Sequence, residues 1–367
     1  MLAVLYLLLP LLGQAKTQAR LTQYNETEAR ILLNLAAGAY SNIPETCINR
    51  TLSSDDQWIL YNELAAVCDR VSSICSGYIL RSDIRREIIL VFRGTKTTKQ
   101  LLTEGWETMQ PGINFYDIGK VLKEFPINNY FYNALETLWP SVEPPVKDPL
   151  FRNYTVTITG HSLGGALAAL CAMKIVHEGL RPGNLLKVVT FGEPRVGDHD
   201  FAVKFDEQIP YSFRVVHRVD IVPHLPACVK DKTDLETQLS DSKKCDTNVP
   251  QRPYHHGIEI WYPYGMEENA EYVECLGEPK NEDYSCSDGL TFEFSKYDVY
   301  VADHRHYFGY KVPLYGKLGC VVLADNPNNT TNASYETQVE NSTKPSSVLK
   351  KVVKQIQNIS KIFGFGK

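Results

Sequence analysis

The chain has 367 residues, 43% hydrophobic and 22% charged, with a formal net charge of −5. With a sequence pI near 6.0 there is no global basic field to attract nucleic acid. The length suits one large α/β domain with appendages or two small domains, and no internal repeat divides it.

The N-terminal run Leu2 to Leu12 is apolar but too short to span a bilayer. Small residues follow, and cleavage fits after Ala15, with Ala19 as a second option. Residues 1–15 therefore read as a signal peptide, although no basic residue precedes the apolar run. No later run is long and apolar enough for a transmembrane helix, so the reading is a secreted chain rather than an anchored one. The nine cysteines agree, because that count is high for the cytosol and ordinary for an oxidising compartment. They form no CxxC pairs with metal-ligand spacing, so a zinc site is not expected. Cys171 falls inside an Ala-rich helix and reads as a buried thiol. Cys47, Cys68, Cys75, Cys228, Cys245, Cys275, Cys286 and Cys320 can pair, in a connectivity the sequence alone does not set. Sequons at Asn25, Asn49, Asn153, Asn328, Asn329, Asn332, Asn341 and Asn358 fit a glycosylated secreted chain.

Glu26 to Tyr40 carries Ile31, Leu32, Leu35, Ala36 and Ala39 at helical spacing. Residues 41–80 are mixed and cysteine-bearing. Glu87 to Phe92 is a strand ending in Arg93-Gly94-Thr95. Thr97 to Glu107 carries Leu101, Leu102 and Trp106 on one face of a short helix. Residues 128–140 read as a helix stopped by Pro140, and Pro144, Pro145 and Pro149 mark a loop. Tyr154 to Thr159 is a β-branched strand, followed at once by Gly160-His161-Ser162-Leu163-Gly164 and then by an Ala- and Leu-rich helix from Gly165 to Met173. Later strands are Leu186 to Phe191, Ser212 to His217 and Ile258 to Tyr262, with a helix from Asp198 to Glu207. Strands alternating with helices imply a mostly parallel sheet covered on both faces. The domain ends near residue 323. Residues 324–347 are rich in Asn, Thr and Ser and read as a glycosylated linker. Residues 348–367 read as a basic amphipathic helix, with Val348, Leu349, Val352, Val353, Ile356, Ile359 and Phe363 on one face and Lys350, Lys351, Lys354 and Lys361 supplying charge. It serves either as a surface tether or as a helix docked on the domain.

Strand, GxSxG and helix in succession are the context of a nucleophile elbow. The turn is so tight that Ser162 is strained, and the flanking glycines let strand and helix pass. The hydroxyl is expected to stand exposed at the carboxyl end of the strand. A serine hydroxyl needs a base to take its proton, and the base needs an orienting acid, in the chain order Ser, acid, His. Asp220, just past a strand, fits the acid. Asp198 and Asp200 open a helix, where capping accounts for them. His255, His256, His304 and His306 come well after Asp220, and spacing does not choose among them. His255 and His256 precede a strand, whereas His304 and His306 read as part of a polar-aromatic loop near the domain end. An oxyanion needs preorganised donors. Leu163 N–H is one by position, and Thr95 offers a second from the loop after an early strand.

These pieces resemble the secreted fungal-type, or class 3, triacylglycerol lipases. The matching blocks are Val91 to Thr95, Gly160 to Ala168, Pro194 to Asp198, Asp220 to Pro226, and Asp303-His304 with Tyr307-Phe308-Gly309. They are collinear over roughly residues 25–320. The resemblance implies an α/β-hydrolase fold, with Ser162 as nucleophile, Asp220 as acid, His304 as base, and Leu163 and Thr95 as oxyanion donors. It implies a lid over residues 97–107, with Leu101, Leu102 and Trp106 covering the site and turning outward on a lipid interface. It also implies the pairs Cys47–Cys320, Cys68–Cys75 and Cys275–Cys286. Where the family has a His-x-Gly-Phe element, this chain has Val121-Leu122-Lys123-Glu124-Phe125. An insertion near 228–250 carries Cys228 and Cys245, read as closing a loop beside the site. The implied activity is acylglycerol ester hydrolysis through an acyl-enzyme, without metal or cofactor. The alternatives are a phospholipase A1 or a soluble-ester esterase of feruloyl type, and, more remotely, a non-catalytic lipid-binding protein that kept the fold. The partner is a lipid or ester substrate, with transient binding to a lipid interface.

Overall fold

The computed structural model describes residues 21–68, 74–94, 127–233 and 242–321. The expected signal peptide, linker and terminal helix lie outside these residues, as do Thr95, Leu101, Leu102 and Trp106. Helix α1 (Glu26–Gly38) starts at Asn25, whose side chain accepts the Glu28 N–H, and Glu26 and Glu28 suit the positive end of its dipole. Helix α2 (Glu45–Thr51) follows. The stretch left unassigned by pattern then forms the hairpin β1 (Ile59–Val67) and β2 (Ile74–Ser82), and β3 (Glu87–Phe92) pairs antiparallel with β2.

Next come α3 (Asn129–Lys147), β4 (Thr155–His161), α4 (Leu163–His177), β5 (Leu186–Phe191), α5 (His199–Gln208), β6 (Ser212–His217), β7 (Ile258–Tyr262) and β8 (Val273–Cys275). Helix α6 (Tyr297–Arg305), a small pair β9 (His306–Tyr307) and β10 (Tyr310–Lys311), and α7 (Val312–Lys317) complete the described chain. The eight-stranded sheet runs in sequence order from β1 to β8. Strands β3 to β7 are mutually parallel, and the edges are antiparallel. With helices on both faces this is an α/β-hydrolase fold.

Alternation along the strands builds two cores. Ile88, Leu90, Val156 and Ile158 face α3 and α4, meeting Leu138, Val142, Ala168 and Ala169. Ile89, Val91, Val189 and Phe213 face the other way, toward Leu32 and Leu35 of α1 and Tyr315 of α7. Helix α4 is buried all round from Leu163 to Ile175, as an apolar helix without a polar face must be.

Helix α3 corrects the expected stop at Pro140, because it continues through Pro140, Pro144 and Pro145. Its second half buries Val142, Pro145 and Val146 on the same face as Phe131, Leu135 and Leu138, and that packing outweighs the amide donors lost at the prolines. The disulfides are Cys47–Cys320, Cys68–Cys75, Cys228–Cys245 and Cys275–Cys286, and Cys171 is a buried thiol.

Candidate active site

Strand β4 ends at His161 and α4 begins at Leu163, so Ser162 alone makes the turn, at φ 62°. A non-glycine residue there is strained, and the surroundings must hold it. A side chain on Gly160 would overlap the Gly164 carbonyl, and one on Gly164 would overlap the Phe92 carbonyl. Ser162 N–H donates to Phe191 O at 2.9 Å, which ties the elbow to the end of β5. Leu163 then opens α4, at the positive end of the helix dipole.

Asp220 follows β6 in a turn closed by its N–H on His217 O. Its carboxylate accepts the Val222 N–H at 2.8 Å, the Tyr307 hydroxyl at 2.6 Å and His304 Nδ1–H at 2.9 Å. Burial pushes this carboxyl up, but the His304 imidazole and the donors outweigh burial and hold it below the usual range. His304 stands on the last turn of α6, which corrects the expected loop. The helix was hidden because its short sequence mixes acids, bases and aromatics. With Nδ1–H given to Asp220, the neutral ring keeps its lone pair on Nε2.

Gly192 shows how these pieces converge. It follows Phe191, the residue that holds Ser162 N–H. A Cβ built on it would lie 2.7 Å from Asp220 Oδ2 and 2.8 Å from His304 Nδ1. Ser162 Oγ and His304 Nε2 are both buried and, among the described residues, without a hydrogen-bond partner. The expected exposed hydroxyl is thus corrected: Ser162 is 2% accessible. Its Cβ lies 3.0 Å from the position a Cβ would take on Gly94, so the loop after β3 closes tightly on the elbow.

His161 also belongs to the site. Its ring stacks on His304, with centroids 4.8 Å apart, and Tyr40 and Tyr307 meet it edge-on. The remaining candidates take other places. Asp198 caps α5 by accepting the Phe201 N–H. His255 bonds to Pro223 O, and His256 lies 3.3 Å from Glu193, whose carboxyl burial pushes up to about 8. His306 bonds to Ala302 O. Tyr40, Tyr307 and His217 were given no role in the sequence reading, although Tyr307 lies in a matched block. Glu259, Cys275 and Cys286 lie close together, but the two sulfurs are bonded to each other and are not free to take a metal.

Arg195 grips Glu282 with two parallel bonds of 2.7 and 2.6 Å and reaches Asp288 at 3.1 Å, all three side chains buried. The same guanidinium donates to Pro226 O, next to the Cys228–Cys245 loop.

Residues 89–230 match the class 3 lipase family. Lipase ZK262.3 of Caenorhabditis elegans is 49% identical over 299 residues, spanning 81% of this chain and 83% of that one. The chain belongs to the class 3 lipases.

A lipase of Rhizopus niveus is 35% identical over 175 residues, 46% of this chain and 42% of that one. The solved lipase of Rhizopus microsporus var. chinensis superposes with a TM-score of 0.56 at 26% identity, over 77% of this chain and 86% of that one. The class 3 lipase match takes in Ser162 and Asp220 and ends well before His304. The place of His304 in the candidate site therefore rests on the geometry around Asp220.

Proposed function

We propose that this class 3 lipase is a secreted serine hydrolase that cleaves acylglycerol esters through an acyl-enzyme. The observation that carries the reading is the His304–Asp220 pair at 2.9 Å, with His304 Nε2 and the Ser162 hydroxyl both buried and, among the described residues, without a hydrogen-bond partner. Ser162 Oγ attacks the acyl carbonyl carbon while His304 Nε2 takes its proton. Asp220 holds the ring and balances the charge of the imidazolium. The tetrahedral oxyanion lies against the Leu163 N–H and, in this reading, Thr95. On collapse the C–O bond breaks and His304 returns the proton to the departing alcohol oxygen. Water then repeats the cycle, with His304 as base, and releases the fatty acid.

The burial of Ser162 supports gating, because no ester reaches an enclosed hydroxyl until something moves. Residues 97–107, with Leu101, Leu102 and Trp106, are the proposed cover, opening at a lipid interface. The disulfides support secretion.

An active-site phosphonate tests the mechanism: it should label the wild type and not Ser162→Ala. Emulsified triolein, phospholipid vesicles and a soluble short-chain ester test the substrate. Triolein should be preferred, with the rate rising once substrate exceeds its solubility. A preference for vesicles would make the chain a phospholipase, and a preference for the soluble ester without that rise would remove both lipid and lid. Unlabelled wild-type protein would sink the serine mechanism.

A further inference from the structure

We propose that His161 and His217 are a pair of positioning residues that grip two consecutive backbone carbonyls, those of His304 and Asp303, and so fix where the catalytic imidazole lies. The proposal rests on His304 being the base.

The two histidines occupy equivalent places. His161 is the last residue of β4 and His217 the last residue of β6, with β5 between these strands. Both reach the carboxyl end of α6. His161 Nε2 lies 2.8 Å from His304 O, and His217 Nδ1 lies 3.1 Å from Asp303 O. The last carbonyls of a helix have no full set of partners within it, so they are the natural handles of such an end. Asp303 O also takes the His306 N–H. The Asp303 carboxylate is drawn toward the same strand exit, accepting the Val219 N–H at 3.4 Å.

The partners dictate the protons. A carbonyl oxygen only accepts, so the hydrogen sits on Nε2 of His161 and on Nδ1 of His217. His161 then presents a lone pair at Nδ1, which Tyr40 fills by donating its hydroxyl at 2.9 Å. Burial, with the neighbouring His304 second, holds His161 far below the usual histidine range, down to about 3. A neutral ring is what the site requires there, because a second cation stacked on His304 would oppose formation of its imidazolium. Tyr307 stands edge-on to both rings, at 5.7 Å from His161 and 5.9 Å from His217, while its hydroxyl serves Asp220. One aromatic ring thus braces both clamps and the acid.

Carbonyl grip differs from ordinary core packing in one respect. His161 bonds to the main chain of the residue whose side chain does the chemistry, so its donor moves His304 as a unit. A misplacement near 1 Å costs roughly 100-fold in rate.

The two clamps use opposite ring nitrogens, which gives a crossed test. A glutamine amide nitrogen stands where Nε2 stood, and an asparagine amide nitrogen where Nδ1 stood. His161→Gln and His217→Asn should keep the donor, with kcat on a soluble short-chain ester within about threefold of wild type. His161→Asn and His217→Gln should lose it, with kcat down roughly 30- to 100-fold, KM within about twofold and phosphonate labelling slowed in proportion. Equal effects of Gln and Asn at each position, or losses that follow the thermal midpoint rather than the donor position, would overturn the clamp. Should a His161 variant not fold, the His217 pair reads the reversed order by itself. Wild-type protein that the phosphonate does not label would take down the serine mechanism and the clamp together. Labelled wild type without the reversed order would remove the clamp alone.

Discussion

Tyr307 donates its hydroxyl to Asp220 at 2.6 Å, and neither side chain has any exposed surface. A donor to the ionised form favours that form, so removing it must raise the Asp220 pKa. Tyr307→Phe leaves the carboxylate with Val222 and His304 as donors. A hydrogen bond to a charged group is worth about 1.5–3 kcal/mol. We expect a kcat loss of roughly tenfold and a destabilisation in that range, read by steady-state kinetics on a soluble ester and by urea unfolding. Asp220 stabilises the fold above its unfolded pKa and ceases to as pH falls through its depressed folded value. The variant should therefore lose its stability deficit in acid.

Gly192→Ala should disable the site. The residue sits at φ 58°, and the added methyl would stand 2.7 Å from Asp220 and 2.8 Å from His304. Either Asp220 or His304 must shift, and on the proposed mechanism that gives a kcat/KM loss of at least about 100-fold. Gly179→Ala is the control. That glycine has φ 69° and nothing within 4 Å of the new methyl. It should cost only about 1 kcal/mol of stability from backbone strain and leave kcat unchanged.

Arg195→Met should destabilise the protein by about 3–5 kcal/mol, because Glu282 and Asp288 would be left buried without their shared cation. Adding Glu282→Leu should recover part of that loss, since one stranded charge goes with it. Urea midpoints of the two variants at neutral pH check the order. A double variant less stable than the single one would mean that the cluster is held by packing rather than by charge.

His161 also predicts a pH dependence. Its folded pKa is near 3 and the ordinary value is 6.5. Between them the unfolded chain binds a proton that the folded protein refuses, so stability falls as pH drops from 6.5 toward 3. One such group contributes a slope of about 1.4 kcal/mol per pH unit. His161→Gln should remove that slope. The stability difference between wild type and variant should shift in the variant's favour by about this amount from pH 6 to pH 5. Parallel urea midpoints at the two pH values would contradict the buried neutral state of His161.

The elbow was legible because its determinants are local: a β-branched strand, glycines at fixed offsets and an apolar helix. Asp220 was legible because it ends a strand in the right chain order. His304 was not separable from His255, His256 and His306 by spacing, since its partnership with Asp220 is made across the sheet. The hairpin β1–β2 escaped pattern reading because β1 is an edge strand with most of its residues at least partly exposed, so no clean alternation marks it. The enclosure of Ser162 was hidden for a similar reason. Gly94, which packs against the elbow, is distant in sequence and meets it only in the fold.

The Cys47–Cys320 bond joins α2 to the chain just after α7, 273 residues apart. Helices α1 and α7 lie so close that a side chain on Gly316 would overlap the Ala37 carbonyl. A proteolytic cut in any surface loop between the two cysteines would leave both fragments covalently joined. Nicked and intact protein would then migrate together in an electrophoretic gel until reductant is added. A fold so tied can lose the continuity of its chain without losing its pieces.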